Sequence, residues 1–495
     1  MTDPEHVDAV VIGLGAGGGE VASRLARAGL RVVGVERDLL GGECRYWGCV
    51  PTKMMIRAAN AVAEARRVAA LAGTAQVRPD WASVARRVRR EATDDWDDKA
   101  AVERFVGKGG IFVRGHGRLD GPRRVRVGDR VFQARYGVVI ATGTVPMIPP
   151  IDGLAGTPYW TNRQAVEVEK LPASLIVLGG GAIGLEFAQV FARFGVRVTV
   201  LETAERVLAS EEPEASEAVA DALRADGVEI HTRVRAEHVG YVGGGFLVRT
   251  GAGRTFSAAR LLVATGRRAP LDGLGLETID AETGQRFLRV DDRMRVTDGV
   301  WAVGDVTGEG AFTHVATYQA AIVVRDLLDR ARRGEDRADA TGNASVAGGA
   351  VGAVGPGGEP ADGPGSVGAA GGLLRADYRA LPRVTFTDPE VGAVGLTERQ
   401  ARERGINVQV GYTALPSSAR GWIHRAGNEG CVKLVADADQ GVLVGGTSVG
   451  PAGGETLSAL AVAVHAAVPI SRLRTMIYAY PTFHRAIEDA LRDLS

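Results

Sequence analysis

The chain has 495 residues, too many for one compact domain, so about two to four domains are expected. Hydrophobic residues make up 45% of it and charged residues 24%, a balance typical of globular domains with large cores. The formal net charge is zero at pH 7, so no long-range field gathers nucleic acid or an anionic membrane surface. We therefore expect no nucleic-acid partner and no membrane partner.

Nothing in the sequence points to export or to a membrane anchor. No apolar run reaches the roughly 20 residues that a membrane-spanning helix needs. The first residues also lack the basic stretch and apolar core of a secretory signal. Three cysteines are too few for an extracellular disulfide scaffold. We expect a cytoplasmic protein, in which two neighbouring cysteines are more often catalytic or metal-binding than structural.

The chain opens with a strand, a glycine-rich loop, a helix and a second strand. Val7–Val11 is an apolar run, and the helical pattern after the loop ends near Gly29. Val32–Val35 is the second strand, and Glu36 follows it about 20 residues after the glycines. This order is typical of a dinucleotide-binding βαβ unit. Its loop glycines are Gly13, Gly15 and Gly18.

The same arrangement occurs a second time. Leu175–Leu178 is a strand, Leu185–Phe194 a helix and Val196–Leu201 the next strand, which Glu202 closes. One glycine loop is a weak signal, but two loops with strand, helix and acid in register are a strong one. The second loop carries Gly179, Gly181 and Gly184.

Each unit predicts a nucleotide site. Glycines let backbone N–H groups approach a pyrophosphate at the positive end of the helix dipole. The acid after the second strand accepts hydrogen bonds from ribose hydroxyls. Glu202 would repel a 2′-phosphate, so the second unit favours NAD(H) over NADP(H). Arg206 lies near enough in sequence to weaken that preference.

Further strands and helices surround the two units. Alternating segments predict strands at Val125–Val131, Phe246–Val248 and Thr255–Ser257, and longer patterns predict helices at Thr52–Leu71 and Trp81–Val106. Three more predicted strands run directly into turns of small residues. They are Tyr136–Ala141 before Thr142-Gly143, Leu261–Ala264 before Thr265-Gly266, and Val300–Val303 before Gly304-Asp305.

The character of the chain changes at residues 331–375. Gly, Ala, Pro and Ser dominate there and aromatic residues are missing, which predicts a flexible surface insertion. The pattern beyond it predicts an α+β domain. Its predicted strands are Arg383–Phe386, Gly430–Ala436 and Leu443–Val449, and its predicted helices are Thr397–Arg404, Gly454–Ala467 and Phe483–Leu494.

The most unusual segment runs from Gly41 to Lys53 and reads GGECRYWGCVPTK. Cys44 and Cys49 lie where a loop enters a helix and can approach closely enough to form a disulfide. A helix N-terminus lowers the pKa of a thiol and favours the thiolate that disulfide exchange requires. The alternatives are two buried apolar thiols or half of a zinc site. Zinc needs about four N or S ligands, and the sequence has no second close Cys/His cluster.

Together with the two glycine loops, this segment resembles the class I pyridine nucleotide–disulfide oxidoreductases, a family that includes dihydrolipoamide dehydrogenase and mercuric reductase. The similarity covers almost the whole chain outside the insertion. It implies an α/β fold with two Rossmann-like dinucleotide-binding domains, for FAD and NAD(P), and a C-terminal α+β dimerisation domain. The implied divisions are 1–155 (FAD domain, first part), 156–272 (NAD(P) domain), 273–330 (FAD and central domain, second part), 331–375 (insertion) and 376–495 (dimerisation domain).

The resemblance also implies a path for electrons from a nicotinamide through FAD to the cysteine pair and on to an acceptor. Cys49 matches the thiol that lies against the flavin, and Cys44 matches the thiol that attacks the acceptor. Lys53 matches the lysine near the flavin N5, and Glu186 matches its carboxylate partner.

Other cofactor contacts follow from the same resemblance. Asp305 matches the acid that binds the ribityl chain, and His314 lies in a Thr-His-Val-Ala segment like the family's at the flavin edge. A homodimer with shared active sites is implied as well. The further residues that we predict to contact a nucleotide are Gly42, Thr142, Gly143, Gly266 and Gly304.

The chain departs from the family near its C-terminus. Disulfide reductases of this type carry His-Pro-Thr-x-x-Glu, whereas Tyr480 and Arg485 stand here in place of the His and the Glu. Tyrosine, with an ordinary pKa of about 10, is a poor base at neutral pH. His484 could share a helix face with Tyr480 and replace the missing base, although a lone surface histidine is the plainer interpretation.

We therefore predict an FAD-dependent, NADH-using oxidoreductase whose acceptor is a small molecule or a thiol or disulfide. Two alternatives stay open. One is a flavin-dependent reductase of a quinone, a metal ion, oxygen or another nicotinamide. The other is a non-catalytic, flavin-binding redox sensor. Mercuric reductases usually add a C-terminal cysteine pair that this chain lacks, and we predict no bound metal.

Overall fold

The computed structural model describes residues 3–282, 284–334 and 374–494. Its first sheet has eight strands, with Glu5–Ile12 between the parallel strands Val32–Glu36 and Arg130–Ile140. Val10 pairs with Val33 on one side and with Val138 on the other. The remaining strands are Ile111–Arg114, Gly117–Leu119, Arg124–Val127, Arg295–Thr297 and Val300–Ala302.

Alternate side chains of the central strand enter two different cores, because successive residues of a strand point to opposite faces. Val10 packs on the face that also holds Val125 and Val300. Val11 packs on the other face, with side chains of the helices Ala16–Arg27 and Thr313–Arg332. The first glycine loop follows Ile12, the last residue of this strand. It therefore lies at the carboxyl end of the sheet, where ligands bind in α/β folds.

The second glycine loop follows a parallel sheet of four strands. These strands lie in the order Glu229–His231, Arg197–Leu201, Ser174–Leu178 and Arg260–Val263. An antiparallel sheet of Ala236–Val242, Gly245–Thr250 and Thr255–Ala258 shares a core with it. A short antiparallel pair, Val145–Pro146 with Arg267–Arg268, joins the segments that connect the first two units.

The last unit contains a five-stranded antiparallel sheet. Its strands lie in the order Pro382–Thr385, Glu390–Gly395, Val442–Gly450, Cys431–Asp437 and Val408–Ala414. Two of them, Glu390–Gly395 and Val408–Ala414, were not predicted, because glycines weaken their strand pattern. These glycines allow helices to pack closely: a Cβ at Gly392 would lie 2.6 Å from the carbonyl oxygen of Gly453, and one at Gly411 would lie 2.1 Å from that of Ala490.

Fourteen α-helices connect and cover the sheets in the described residues. They are Ala16–Arg27, Gly42–Tyr46, Cys49–Leu71, Trp81–Arg87, Lys99–Val106, Asn162–Glu167, Ala182–Arg193, Pro213–Ala225, Thr313–Arg332, Glu398–Glu403, Ala419–His424, Gly453–His465, Ile470–Arg474 and Ala486–Arg492. Short 3₁₀ turns lie at Asp94–Trp96, Leu276–Thr278, Asp305–Thr307, Leu415–Ser417 and Phe483–Arg485.

The prediction of one long helix over Trp81–Val106 is wrong. The helix widens into a π-helical stretch at Val88–Ala92 and then breaks, and a new helix begins at Lys99. Thr93 is fully buried at the break, and its hydroxyl donates to the carbonyl oxygen of Arg89 at 2.9 Å. Such a side-chain bond competes with the regular helix ladder.

Two other predictions are wrong in extent. The predicted strand Val125–Val131 is a hairpin, because Gly128 takes a φ of +58° and turns the chain back. The predicted helix Phe483–Leu494 begins as a 3₁₀ turn and becomes α-helical at Ala486–Arg492.

Most of the predicted insertion at 331–375 lies outside the described residues, although the helix Thr313–Arg332 extends into its first two positions. Of the helices in the described ranges, none is long and apolar enough to cross a membrane. The exact domain boundaries stay predictions.

Candidate active site

Both glycine loops open into one cavity of about 1650 Å³. Gly13 takes a φ of +95°, and a Cβ at Gly18 would lie 2.0 Å from its carbonyl oxygen. No atom of the described residues lies within 4 Å of a Cβ built at Gly15 or Gly181. Each loop is therefore packed tightly against its own helix and open toward the cavity. The second loop repeats the close contact at Gly184, where a Cβ would lie 2.2 Å from the carbonyl oxygen of Gly179.

Glu36 and Glu202, the acids that follow the second strand of each unit, form hydrogen bonds with the backbone of these loops. Glu36 accepts hydrogen bonds from the backbone N–H groups of Leu14 and Asp38, both at 2.8 Å. Glu202 accepts one from Gly180 at 2.5 Å. Both carboxylates line the cavity, so a ribose next to either loop would meet an acceptor.

Arg206, which follows Glu202 in the sequence, is not directed toward the nucleotide site. Its guanidinium donates to the carbonyl oxygens of Leu208 at 3.1 Å, Ala209 at 3.0 Å and Glu211 at 2.7 Å. Its donors are thus directed at the backbone of its own loop.

Asp305 lies at the carboxyl end of the first sheet, close to a second polar group. It accepts a hydrogen bond from Thr144 at 2.9 Å, and burial raises its pKa. Arg267 donates to the Thr144 hydroxyl at 2.8 Å and so joins the segment after the second sheet to this corner. The Gly304 N–H donates to Gln319 at 2.7 Å, which fixes the turn that carries Asp305.

The other predicted turn residues line the same cavity, namely Gly42, Thr142, Gly143 and Gly266. The Thr142 hydroxyl is buried and has no hydrogen-bond partner among the described residues. An unpaired buried hydroxyl costs about 1–3 kcal/mol, and a polar ligand in the cavity would offer it a partner.

Cys44 and Cys49 come together at the beginnings of two helices. Cys49 is the first residue of Cys49–Leu71, and Thr313 is the first residue of Thr313–Arg332. The Thr313 hydroxyl lies 3.0 Å from the Cys44 sulfur and 3.4 Å from the Cys49 sulfur. Both cysteines are free thiols here. The positive ends of two helix dipoles thus point at one thiol pair, which favours a thiolate.

The two thiols differ in acidity. A hydrogen bond from Cys44 lowers the pKa of Cys49 to about 6, with help from the Thr313 hydroxyl and the positive charge of Lys53. The hydrogen bond to Cys49 and burial raise the pKa of Cys44. At neutral pH the negative charge therefore resides on Cys49, one helical turn before Lys53.

Lys53 and Glu186 form an ion pair across two units of the fold. The Lys53 ammonium lies 2.7 Å from Glu186 Oε2, and Glu186 is buried in the helix Ala182–Arg193. Phe386 completes the arrangement, since its backbone N–H donates to Glu186 Oε1 at 2.9 Å and its ring centre lies 4.6 Å from the ammonium. All three residues line the cavity.

The loop between the cysteines is fixed to the second unit through Trp47. The indole N–H donates to Glu167 at 2.7 Å, the carbonyl oxygen accepts from Asn162 at 2.9 Å, and Arg163 lies over the ring at 4.1 Å. Tyr46 is 1% exposed, so its bulk fills the interior.

His314 lines the cavity next to Thr313. Its Nε2 lies 2.8 Å from the carbonyl oxygen of Pro382, and its ring stacks on Phe312 with centroids 5.2 Å apart.

Tyr480 and His484 do not join this site within one chain, as neither is among the described residues that line the cavity. The expectation that they share a helix face is wrong, because Tyr480 lies before the 3₁₀ turn that holds His484. His484 contacts Thr482 at 3.0 Å and the ring of Tyr478. Tyr480 is 69% exposed, with the Arg485 guanidinium 5.4 Å from its ring centre.

Sequence reasoning did not single out Thr313, Phe386, Arg267 or Asn162. Thr313 and Arg267 had a local signal, since they adjoin His314 and Gly266. Phe386 and Asn162 had none, because their roles come from contacts over more than a hundred residues.

Comparison with known proteins now identifies the family. Residues 7–320 match the pyridine nucleotide-disulphide oxidoreductase family, and residues 381–491 match the pyridine nucleotide-disulphide oxidoreductase dimerisation domain. The chain belongs to this family. The predicted family and fold class are thereby confirmed.

Individual relatives cover nearly the whole chain. It is 33% identical to a mercuric reductase of Streptomyces lividans, over 97% of this chain and 94% of that protein. It is 31% identical to a dihydrolipoyl dehydrogenase of Chlorobaculum tepidum, over 98% and 96%. The fold resembles LpdA from Mycobacterium tuberculosis, with a TM-score of 0.79 and 25% identity over 98% and 99%. It also resembles a Cu(II) complex of the HOCl-induced flavoprotein disulfide reductase RclA from Escherichia coli, with a TM-score of 0.79 and 26% identity over 98% and 99%.

The family consists of FAD-containing oxidoreductases, and this chain is such an enzyme. The first unit fits FAD: an open glycine loop suits a pyrophosphate, Glu36 suits a ribose, and the unpaired Thr142 hydroxyl and Asp305 suit a polyol chain. No group of three or more His, Cys, Asp or Glu side chains in the described ranges is placed to hold a metal ion.

Proposed function

We propose that the enzyme transfers electrons from NADH through FAD to the Cys44–Cys49 pair and on to an acceptor that meets Cys44. One observation carries the proposal: Cys49 has an acidic thiol that lies one helical turn before the Lys53–Glu186 ion pair. This arrangement places a thiolate and a fixed positive charge on the wall of a cavity that reaches both glycine loops.

Each residue of the cavity wall has a separate role in this electron transfer. FAD, when bound, would supply a hydride acceptor for a nicotinamide and a two-electron donor for a disulfide. Lys53 would offer a positive charge to the cofactor, and Glu186 keeps that ammonium in place. Thr313 donates a hydrogen bond to whichever sulfur carries the charge. Asp305 and Thr142 offer polar contacts for the rest of the cofactor.

The preference for NADH over NADPH rests on Glu202 and Arg206. The Glu202 carboxylate stands at the second loop, where a 2′-phosphate would add further negative charge. Arg206 does not offset this repulsion, because its guanidinium donates to three carbonyl oxygens of its own loop.

We further propose a homodimer in which Tyr480 of one subunit reaches the cysteine pair of the other. The dimerisation domain at residues 381–491 supports the association, and the exposed Tyr480 side chain in that domain supports the shared site. A reducing compartment, the cytoplasm, suits an enzyme that works through free thiols.

Anaerobic titration tests the electron path. NADH should deliver two electrons per subunit beyond the flavin alone and should produce a long-wavelength charge-transfer band. Cys49→Ser should abolish the band, whereas Cys44→Ser should retain it. An unchanged spectrum in Cys49→Ser would show that the thiolate assignment is wrong.

A second candidate is reduction of an acceptor that is not a disulfide, such as a metal ion or a quinone. Tyr480, stacked with Arg485, supports it because this pair replaces the acid–base pair that disulfide chemistry uses. Similarity to a mercuric reductase and to a Cu(II)-complexed reductase supports it as well. Steady-state assays with lipoamide, small disulfides, quinones and Hg(II) separate the two. Turnover of a quinone or metal ion that survives Cys44→Ala would favour the second candidate.

A further inference from the structure

Besides Glu186, the ammonium group of Lys53 has a second neighbour, Phe386, that cysteine chemistry by itself does not require. The ammonium lies 2.7 Å from Glu186 and 4.6 Å from the ring centre of Phe386. Phe386 follows the strand Pro382–Thr385, within the region matched by the dimerisation domain. Lys53 and Glu186 belong to the helices that begin at Cys49 and Ala182. Three distant parts of the chain thus meet at one positive charge.

Phe386 acts on both members of the ion pair. Its backbone N–H donates to Glu186 Oε1 at 2.9 Å, which leaves Oε2 for Lys53. Its ring offers the negative face of the π system to the ammonium, a cation–π contact. The carboxylate is therefore held at both oxygens, and the ammonium is held between a carboxylate and an aromatic ring.

The segment that carries Phe386 is anchored along the helix that carries Glu186. The Asp388 N–H and carbonyl groups each form a 2.8 Å hydrogen bond with the Gln189 side chain. The Asp388 carboxylate accepts from Arg193 at 2.7 Å and from Arg67 at 2.6 Å. Glu186, Gln189 and Arg193 lie three and four positions apart, on one face of that helix. Contacts at successive turns therefore fix the backbone next to Phe386 against this helix.

We propose that Phe386 is a positioning residue for flavin reduction, holding Lys53 against Glu186 and so fixing the positive charge beside the Cys49 thiol. The inference rests on the proposed electron path. Among the described residues, Cys44 and Lys53 are titratable groups that act on Cys49, and Glu186 is the ion-pair partner of Lys53. A Lys53 ammonium that moves more freely stabilises the Cys49 thiolate less. The bond to Glu186 comes from the backbone N–H of residue 386, which leucine, tyrosine and methionine also have, so variants with these side chains test the ring alone.

The test compares three variants of the full-length holoenzyme. Phe386→Leu removes the π face and keeps an apolar side chain, and Phe386→Tyr restores the face. Phe256→Leu is a matched control, because it removes a cation–π contact with Arg254 (4.9 Å) away from the cavity. Two quantities are measured: the pH midpoint of the long-wavelength band, and the rate of flavin reduction by NADH in stopped flow.

In Phe386→Leu we expect the midpoint to rise by at least about half a pH unit and the rate to fall about three- to tenfold. Phe386→Tyr should match the parent within about twofold, and Phe256→Leu should leave both quantities unchanged. An unchanged midpoint and rate in Phe386→Leu would overturn the inference and leave the electron path intact. If the parent enzyme shows no long-wavelength band, both the proposed electron path and the inference about Phe386 are wrong. Phe386→Met, which also keeps apolar volume, gives the same reading if the leucine variant folds poorly.

Discussion

Replacing Thr313 by Val should weaken the acidity of Cys49. The Thr313 hydroxyl lies 3.0 Å from the Cys44 sulfur and 3.4 Å from the Cys49 sulfur, at the first residue of a 20-residue helix. Valine has nearly the same shape, so the substitution removes the hydrogen bond and little packing. Because the bond favours the charged form of the thiol, its loss raises the pKa of Cys49.

The size of this shift follows from the strength of the bond. A hydrogen bond to a charged group contributes about 1.5–3 kcal/mol, and one pKa unit corresponds to about 1.36 kcal/mol. The loss therefore raises the pKa by about one to two units. One hydroxyl proton serves two sulfurs, so we expect the lower end, a change from about 6 to about 7.

The assay is an anaerobic pH titration of the long-wavelength band in the two-electron-reduced enzyme. At pH 7 the parent should show about nine-tenths of the full band and Thr313→Val about half, as a one-unit shift requires. Thr313→Ser keeps the hydroxyl and should stay near the parent. A Thr313→Val midpoint within about 0.2 units of the parent would refute the role of this hydroxyl.

Three further predictions concern other parts of the molecule. Lys433 is buried among Glu212, Glu214 and Glu398 at 2.8–3.0 Å, so Lys433→Met should cost about 3–5 kcal/mol of stability. Since Lys433 lowers the pKa of Glu398, the stabilisation by this ion-pair cluster is present at neutral pH and is lost as the pH falls through the carboxylate range. If the difference in thermal stability between the parent and Lys433→Met grew in acid, that result would contradict the prediction. Glu202→Ala should raise the kcat/KM ratio of NADPH to NADH at least about tenfold, as loss of one charge repulsion allows; an unchanged ratio would place the selectivity elsewhere. Burial raises the pKa of Cys431 to about 12, so folded protein that is first reduced anaerobically with NADH and then treated with iodoacetamide at pH 7 should be labelled at Cys49 and not at Cys431, which peptide mass spectrometry would show.

Local patterns predicted much of the framework. The strands Glu5–Ile12 and Ser174–Leu178, their glycine loops and the acids that follow are short-range features with fixed spacing, and the structure places them as expected within one or two residues. Local patterns failed where a distant contact decided the conformation. The predicted helix over Trp81–Val106 breaks at the fully buried Thr93, and the strand containing Gly411 was missed because its glycine makes room for a helix.

The sequence by itself determined which chemical groups this protein contains: two glycine-rich loops, a close cysteine pair, and a lysine one turn beyond it. Their spacing along the chain is enough, because each lies within a single loop or helix. Only the tertiary structure decided the acidity of the cysteines and the position of the lysine charge. Thr313, Glu186 and Phe386 reach the cysteine and lysine from segments far away in the chain, and electrostatic and hydrogen-bond effects depend on distance in space.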